Sequence, residues 1–208
     1  MKNDIERRVI GATVEIRADE GSEPVIVGYA AVYDAESNDL GGFTEIIEPG
    51  FFDLALSDDV RALWNHNSDI VLGRTVAKTL ELSSDEHGLL TEIQPPDTQA
   101  GRDAITSIKR GDVDQMSFAF TVAADGDEWQ RSENGRPLRI LKRDGCAKLY
   151  DVSPVTYPAY EQTRVAARAL DHVNELRQAA QDDNSAQEKQ RRAALDNRKR
   201  EIQIKQMR

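Results

Sequence analysis

ValAspGlnMetSerPheAlaPheThrVal, residues 113–122, alternates with a period of two. Met116, Phe118, Phe120 and Val122 fall on one side, and Val113, Gln115, Ser117, Ala119 and Thr121 on the other. This is the pattern of a strand with one strongly apolar face and, on its opposite face, a small hydroxyl. A serine so placed is most often simply solvated.

On both sides of this segment the chain reads mainly as further strands. Val14, Ile16 and the run from Pro24 to Tyr33 are largely β-branched and aromatic, with Gly28 in the middle. Asn38 to Gly42 is loop chemistry, and Phe43 to Ile47 predicts a short strand. Pro49-Gly50 interrupts the chain before Phe51, Phe52, Leu54 and Leu56, a short helix by spacing. Val60 to Trp64 predicts a strand that delivers His66 at its end. Residues 70–94 predict a β-hairpin whose turn is SerSerAspGluHisGly at 83–88. A helix is expected from Asp97 to Arg110, capped by Asp97 or Thr98, striped by Ala104, Ile105 and Ile108, and ended by Gly111. A polar loop should follow Val122 as far as Arg136, and then strands at 138–142 and 147–157.

Composition changes after Pro158. No glycine or proline occurs from Tyr160 onward, and Ala166, Leu170, Val173 and Leu176 lie at helical spacing. Beyond about residue 180 apolar residues are too sparse to build a core. The expected division is a body at 1–164 and a helical or partly disordered tail at 165–208. Charge changes near the same point, between residues 161 and 162. Residues 162–208 hold 11 Lys/Arg against 7 Asp/Glu, and the rest holds 16 against 30, so a body of net −14 carries a tail of net +4. So acidic a body argues against nucleic-acid binding by the main domain.

Other classes are disfavoured by what the sequence lacks. No apolar run approaches the length of a membrane span, and the first twenty residues have no apolar signal core, so a cytosolic protein with no membrane partner is expected. Cys146 is the single cysteine, so no intramolecular disulfide can form. His66, His87 and His172 lie far apart in unlike contexts, which makes a metal site hard to build. With no glycine-rich phosphate loop, no cofactor is expected.

Three residues could carry hydrolytic chemistry. A serine hydroxyl is a poor nucleophile near neutral pH and needs a base within hydrogen-bond reach. His66, directly after an apolar strand, is the best placed of the histidines; His87 reads as a turn residue. A third group would fix the imidazole tautomer, and Asp151 is the leading candidate. On a regular strand it shares a face with Leu149, Ser153 and Val155, where an unpaired carboxylate would be costly. A structural acid bonded to a backbone amide or an arginine fits the pattern equally well. Spacing alone does not join the three.

A set of ordered segments carries a resemblance. They are GlyTyrAlaAlaValTyrAsp at 28–34, GluIleIleGluProGlyPhePhe at 45–52, AlaLeuTrpAsnHisAsn at 62–67 and ValLeuGlyArg at 71–74. GlyArgAspAlaIle at 101–105, GlyAspValAspGlnMetSerPheAlaPhe at 111–120 and AspValSerProValThrTyrProAlaTyr at 151–160 complete it. Over about residues 25–165 the chain resembles the prohead protease family of tailed bacteriophages, typified by phage HK97 and related in fold to the herpesvirus maturation protease. The resemblance implies a β-rich α+β fold, a small closed β-barrel flanked by helices, to which the composition adds a C-terminal helical tail outside the resemblance. It also implies a Ser117 nucleophile, a His66 base and Asp151 as third member, where relatives often carry glutamate.

The activity so implied is that of a serine endopeptidase of procapsid maturation. Its substrates would be the scaffold segment of the major capsid protein and the protease itself, and it would act inside the assembling shell in the host cytoplasm. The herpesvirus relatives are activated as dimers, which leaves a homodimer open here. The tail is then expected to recruit the protease to the capsid scaffold. Two other readings stand beside this one: a non-catalytic assembly or scaffolding protein on the same fold, and an esterase on an unrelated one. An esterase would normally show a Gly-x-Ser-x-Gly turn, whereas Ser117 sits in MetSerPhe within a strand.

Overall fold

The computed structural model describes residues 5–18, 21 and 23–157. Eleven strands occur among them: β1 (Glu6–Arg17), β2 (Val25–Val32), β3 (Thr44–Ile47), β4 (Arg61–Trp64), β5 (Asn67–Arg74), β6 (Leu80–Ser84), β7 (Gly88–Ile93), β8 (Gln115–Val122), β9 (Asp127–Arg131), β10 (Pro137–Leu141) and β11 (Cys146–Val155). One α-helix, α1 (Gln99–Lys109), and one 3-10 turn, Asp53–Ser57, complete the described elements.

Eight strands form one sheet in the order β5-β4-β11-β8-β1-β2-β7-β6, and three form a second in the order β3-β10-β9. Neighbours are antiparallel except β4 with β11 and β3 with β10. The alternating segment is β8, near the middle of the large sheet. Its apolar side packs on the phenylalanines that follow Pro49-Gly50. Phe52 meets Phe118 edge-on at 5.3 Å, Phe51 meets Phe120 at 5.6 Å, and all four rings are fully buried. Each such ring is worth about 2–3 kcal/mol of apolar burial. These contacts fix which face of β8 is inside.

The expected closed, helix-flanked barrel is not what forms. The large sheet is open: it begins at β5 and ends at β6, and no ladder joins those two strands. The chain between them turns on its own hydrogen bonds. Lys78 N donates to Thr75 O at 2.9 Å, Thr79 N to Arg74 O at 3.2 Å, and Arg74 N to Thr79 Oγ1 at 3.0 Å. Beyond that corner β5 pairs with β4 and β6 with β7, so the edges separate. The described residues supply one α-helix rather than a flanking set. The expected helical tail, including its start at residue 165, lies outside the described residues.

Other sequence expectations are met or adjusted locally. Helix α1 starts at the Thr98 cap, whose hydroxyl accepts from Gly101 N at 3.2 Å, and stops before Gly111, whose φ is +76°. Gly101, Ala104 and Ile108 are its buried residues, and it packs on β1. The hairpin predicted for 70–94 is confined to β6 and β7; residues 70–74 belong to β5. The two phenylalanines precede a 3-10 turn rather than an α-helix. The polar loop predicted before Arg136 contains β9, an edge strand on which Trp129 packs against Phe43 at 5.0 Å.

Candidate active site

Ser117 lies on the face of β8 turned away from the phenylalanine core, yet it is fully buried. In register it faces Val9 of β1 on one side and Ser153 of β11 on the other. The face read as polar and solvated is therefore covered at this point.

His66 is presented by a turn, not by a strand end. Trp64 pairs with Asn67, and the two residues between them, Asn65 and His66, have φ of 53° and 57°. Two successive positive φ values are those of a type I′ hairpin turn, whose twist suits the flanking strands. Asparagine and histidine are among the residues found most often in this conformation, though any non-glycine residue there carries strain of order 1 kcal/mol. Asn65 ties the turn to β11. Its N–H donates to Pro154 O at 3.0 Å, its Nδ2 to Thr156 Oγ1 at 3.2 Å, and its Oδ1 accepts from Thr156 N at 2.8 Å.

Asp151 reaches the same place because β11 is bulged. Leu149 pairs with Phe120 but Asp151 pairs with Ala119, so the register slips at Tyr150. The slip sends Leu149 to the core side and turns Asp151 and Ser153 to the side of Ser117. This corrects the regular-strand expectation, which grouped Asp151 with Leu149.

The three sequence candidates thus converge. His66 Nε2 is 2.6 Å from Ser117 Oγ, and His66 Nδ1 is 2.6 Å from Asp151 Oδ1. An ionised carboxylate only accepts, so Nδ1 carries the proton, and the lone pair of Nε2 faces the serine hydroxyl, which donates to it. His66 and Asp151 side chains are 11% and 9% exposed, so the relay sits in a largely desolvated seat with the imidazole at its rim. Such an arrangement can take a proton from Ser117 and stabilise the imidazolium that results.

A fourth residue joins them that sequence reading had named only as a neighbour on the strand. Ser153, fully buried, donates its hydroxyl to Asp151 Oδ1 at 2.6 Å. The signal available in the sequence was its spacing of two from Asp151. The arginines of β4 and β5 are engaged with Asp59. Arg61, the register partner of Asp151 on β4, ion-pairs with Asp59 at 3.0 Å, and Arg74 donates twice to the same carboxylate at 2.7 Å. The Arg74 hydrogen bonds, with the charge of Arg61, draw Asp59 down to about 2.

The remaining candidates lie apart from this chemistry. Cys146 is buried, and burial with the nearby Asp58 charge pushes its thiol up to about 12, so it stays protonated. His87 is an exposed residue of the β6–β7 turn, stacked on Tyr29. His172 lies outside the described residues. Among the described residues no group of three or more His, Cys, Asp or Glu could hold a metal ion, and no helix is long and apolar enough to cross a membrane.

Comparison with known families bears on this geometry. The model of the Caudovirus prohead serine protease family matches residues 12–176, a span that includes Ser117, His66, Asp151 and Ser153. The chain belongs to this family. Among solved structures it is similar to the capsid assembly protease gp21 of bacteriophage T4, at 10% identity and a TM-score of 0.48, covering 73% of this chain and 96% of that one. No curated protein matches it. Within the matched span the hydrogen-bonded serine, histidine and carboxylate lie on β8, the β4–β5 turn and β11.

Proposed function

We propose that this chain is a serine endopeptidase of procapsid maturation, with Ser117 as nucleophile, His66 as general base and Asp151 as the group that orients the imidazole. The observation that supports the reading is the pair of 2.6 Å contacts linking Ser117 Oγ to His66 Nε2 and His66 Nδ1 to Asp151 Oδ1, among residues drawn from three separate elements. The Ser117 oxygen attacks a peptide carbonyl while its proton passes to His66 Nε2. Collapse of the tetrahedral intermediate breaks the C–N bond, and His66 returns the proton to the leaving amine. Water, deprotonated by the same imidazole, then attacks the acyl-enzyme and releases the acid with Ser117 regenerated.

The substrates are the scaffold segment of the major capsid protein and the chain itself, cut inside the assembling shell. Removing scaffold from a closed shell makes assembly irreversible and clears the interior. Intact-mass spectrometry of the full chain, wild type beside Ser117→Ala, alone and with the capsid protein, tests this. Time-dependent cleavage by the wild type and none by Ser117→Ala is expected. A capsid protein left whole by both would sink the reading and leave an assembly protein in its place.

A further inference from the structure

We propose that Ser153 is a positioning residue of the relay: its hydroxyl holds Asp151 Oδ1 in line with His66 Nδ1. The inference rests on the protease reading above and extends it to a residue outside the Ser-His-acid set.

Two donors converge on one oxygen. His66 Nδ1 and Ser153 Oγ each lie 2.6 Å from Asp151 Oδ1. For an O–H donor to a carboxylate that distance is typical of a strong, charge-assisted hydrogen bond. The terminal torsion of an aspartate is broad and roughly two-fold, so the direction of Oδ1 is set by whatever bonds to it. The bulge at Tyr150 brings Asp151 onto this face, and Ser153, two residues on along the same strand, can then brace it. Ser153 also faces Ser117 in register. Directly opposed side chains on an antiparallel pair have Cβ atoms about 4.5–5.5 Å apart, so a small residue here leaves room for the nucleophile. The single hydrogen of Ser153 is committed to Asp151, which makes it a brace and not a second nucleophile.

The arginines of β4 and β5 and the facing residues of β8 do not replace the brace. On β4 and β5, Arg61 and Arg74 are held by Asp59. Residues 117 and 119 on the β8 side are Ser117 and Ala119, neither of which brings a charge.

The test is the second-order rate at which a fluorophosphonate probe labels Ser117 in the full chain, which reads the activated hydroxyl without any protein substrate. Ser153→Ala should label about tenfold more slowly, the loss expected for a hydrogen bond to a charged group. Ser153→Cys keeps the side-chain volume with a weaker donor and should fall between the two. Ser153→Ala added to Asp151→Asn should slow labelling by less than about twofold, because a residue acting through Asp151 has nothing left to position. The far-downfield proton resonance of His66 Nδ1–H should move in Ser153→Ala, which a loss of stability alone would not cause. Wild-type labelling at Ser117 with Ser153→Ala and Ser153→Cys equally fast overturns this inference alone. The same slowing in the wild-type and Asp151→Asn backgrounds also overturns it. A wild type that the probe leaves unlabelled at Ser117 overturns the protease reading and this inference with it.

Discussion

The two faces of β8 carry two buried polar clusters of opposite character. On the phenylalanine side, register places Glu6 beside Phe120 and Arg8 beside Phe118. There Arg8 bonds Glu6 at 2.5 Å and Glu45 at 2.8 Å, and Arg139 bonds Glu6 at 2.6 Å, Glu45 at 3.1 Å and Asp127 at 2.7 Å. These charges tie β1 to β3, β10 and β9 and so join the large sheet to the small one. On the other side Ser117, His66, Asp151 and Ser153 are linked by hydrogen bonds in which His66 and Ser153 both contact the Asp151 carboxylate. Burial by itself would raise Glu6, yet the charge of Arg8 and the hydrogen bonds and charge of Arg139 hold it below its ordinary range. Burial likewise opposes the charge on Arg139, and Glu45 and Glu6 outweigh it, raising that guanidinium. The pairing therefore keeps Glu6 ionised and Arg139 protonated. On the proposed reading the other cluster passes a proton from Ser117 to His66, which catalysis requires and a structural clamp must avoid.

The largest effect that separates the two clusters is chemical. Ser117→Ala, or His66→Ala, should lower capsid cleavage by on the order of 10⁴-fold or more, as loss of a nucleophile or its base does in serine proteases. For Ser117→Ala, which leaves the His66–Asp151 bond in place, the urea midpoint should barely change, and a large fall in it would mean that the serine cluster is structural after all. Arg139→Ala should do the reverse. It leaves Glu6 and Glu45 buried with one guanidinium fewer, a loss of roughly 3–5 kcal/mol. Urea unfolding should report that loss, while fluorophosphonate labelling of the folded protein stays near the wild-type rate.

The contrast also explains what could be read from the sequence. The period of two in β8 named its inward face without help, because Phe118 and Phe120 must be buried whatever surrounds them. The cap and stop of α1 were equally legible, since Thr98 and Gly111 act through local geometry. The first half of β1 was not, because Glu6 and Arg8 look like surface charge until partners far along the chain, Glu45 and Arg139, are in place. Strand β9 was missed for a related reason: an edge strand needs little apolar alternation. At the site, Ser117, His66 and Asp151 were named from residue type and resemblance, but their meeting depends on two features with no clear pattern. One is the bulge at Tyr150, and the other is a left-handed Asn65-His66 pair. The closed barrel failed because the turn at 75–79 bonds to itself and sends β5 and β6 to different partners.

A smaller effect distinguishes the clusters by pH. The carboxyl of Glu6 is lower in the folded protein than its ordinary 4.5, so between those values the unfolded chain binds more protons. The stability contributed by Glu6 is thus complete above about pH 4.5 and is lost as pH falls through its folded value. Wild-type urea midpoints should fall more steeply from pH 5 to pH 3 than those of Glu6→Gln. Equal slopes would show that the ionic cluster is not what acid attacks.

The smallest effect concerns how the two clusters are held. The ionic one is fixed by paired charges, whereas His66 is aimed by the neutral hydrogen bonds of Asn65 to Pro154 and Thr156. Asn65→Ala loses the side-chain bonds and also puts a Cβ-bearing residue poorly suited to φ of 53° into the turn. Together these should cost about 1–2 kcal/mol. Asn65→Gly keeps the left-handed conformation at no steric cost and loses only the side-chain clamp, so its stability should fall by about 1 kcal/mol or less. Both variants should label Ser117 several-fold more slowly if the clamp is what aims the imidazole. Should Asn65→Gly keep the full rate while Asn65→Ala does not, the backbone turn alone aims His66, and the side chain of Asn65 serves only to make that turn affordable to the fold.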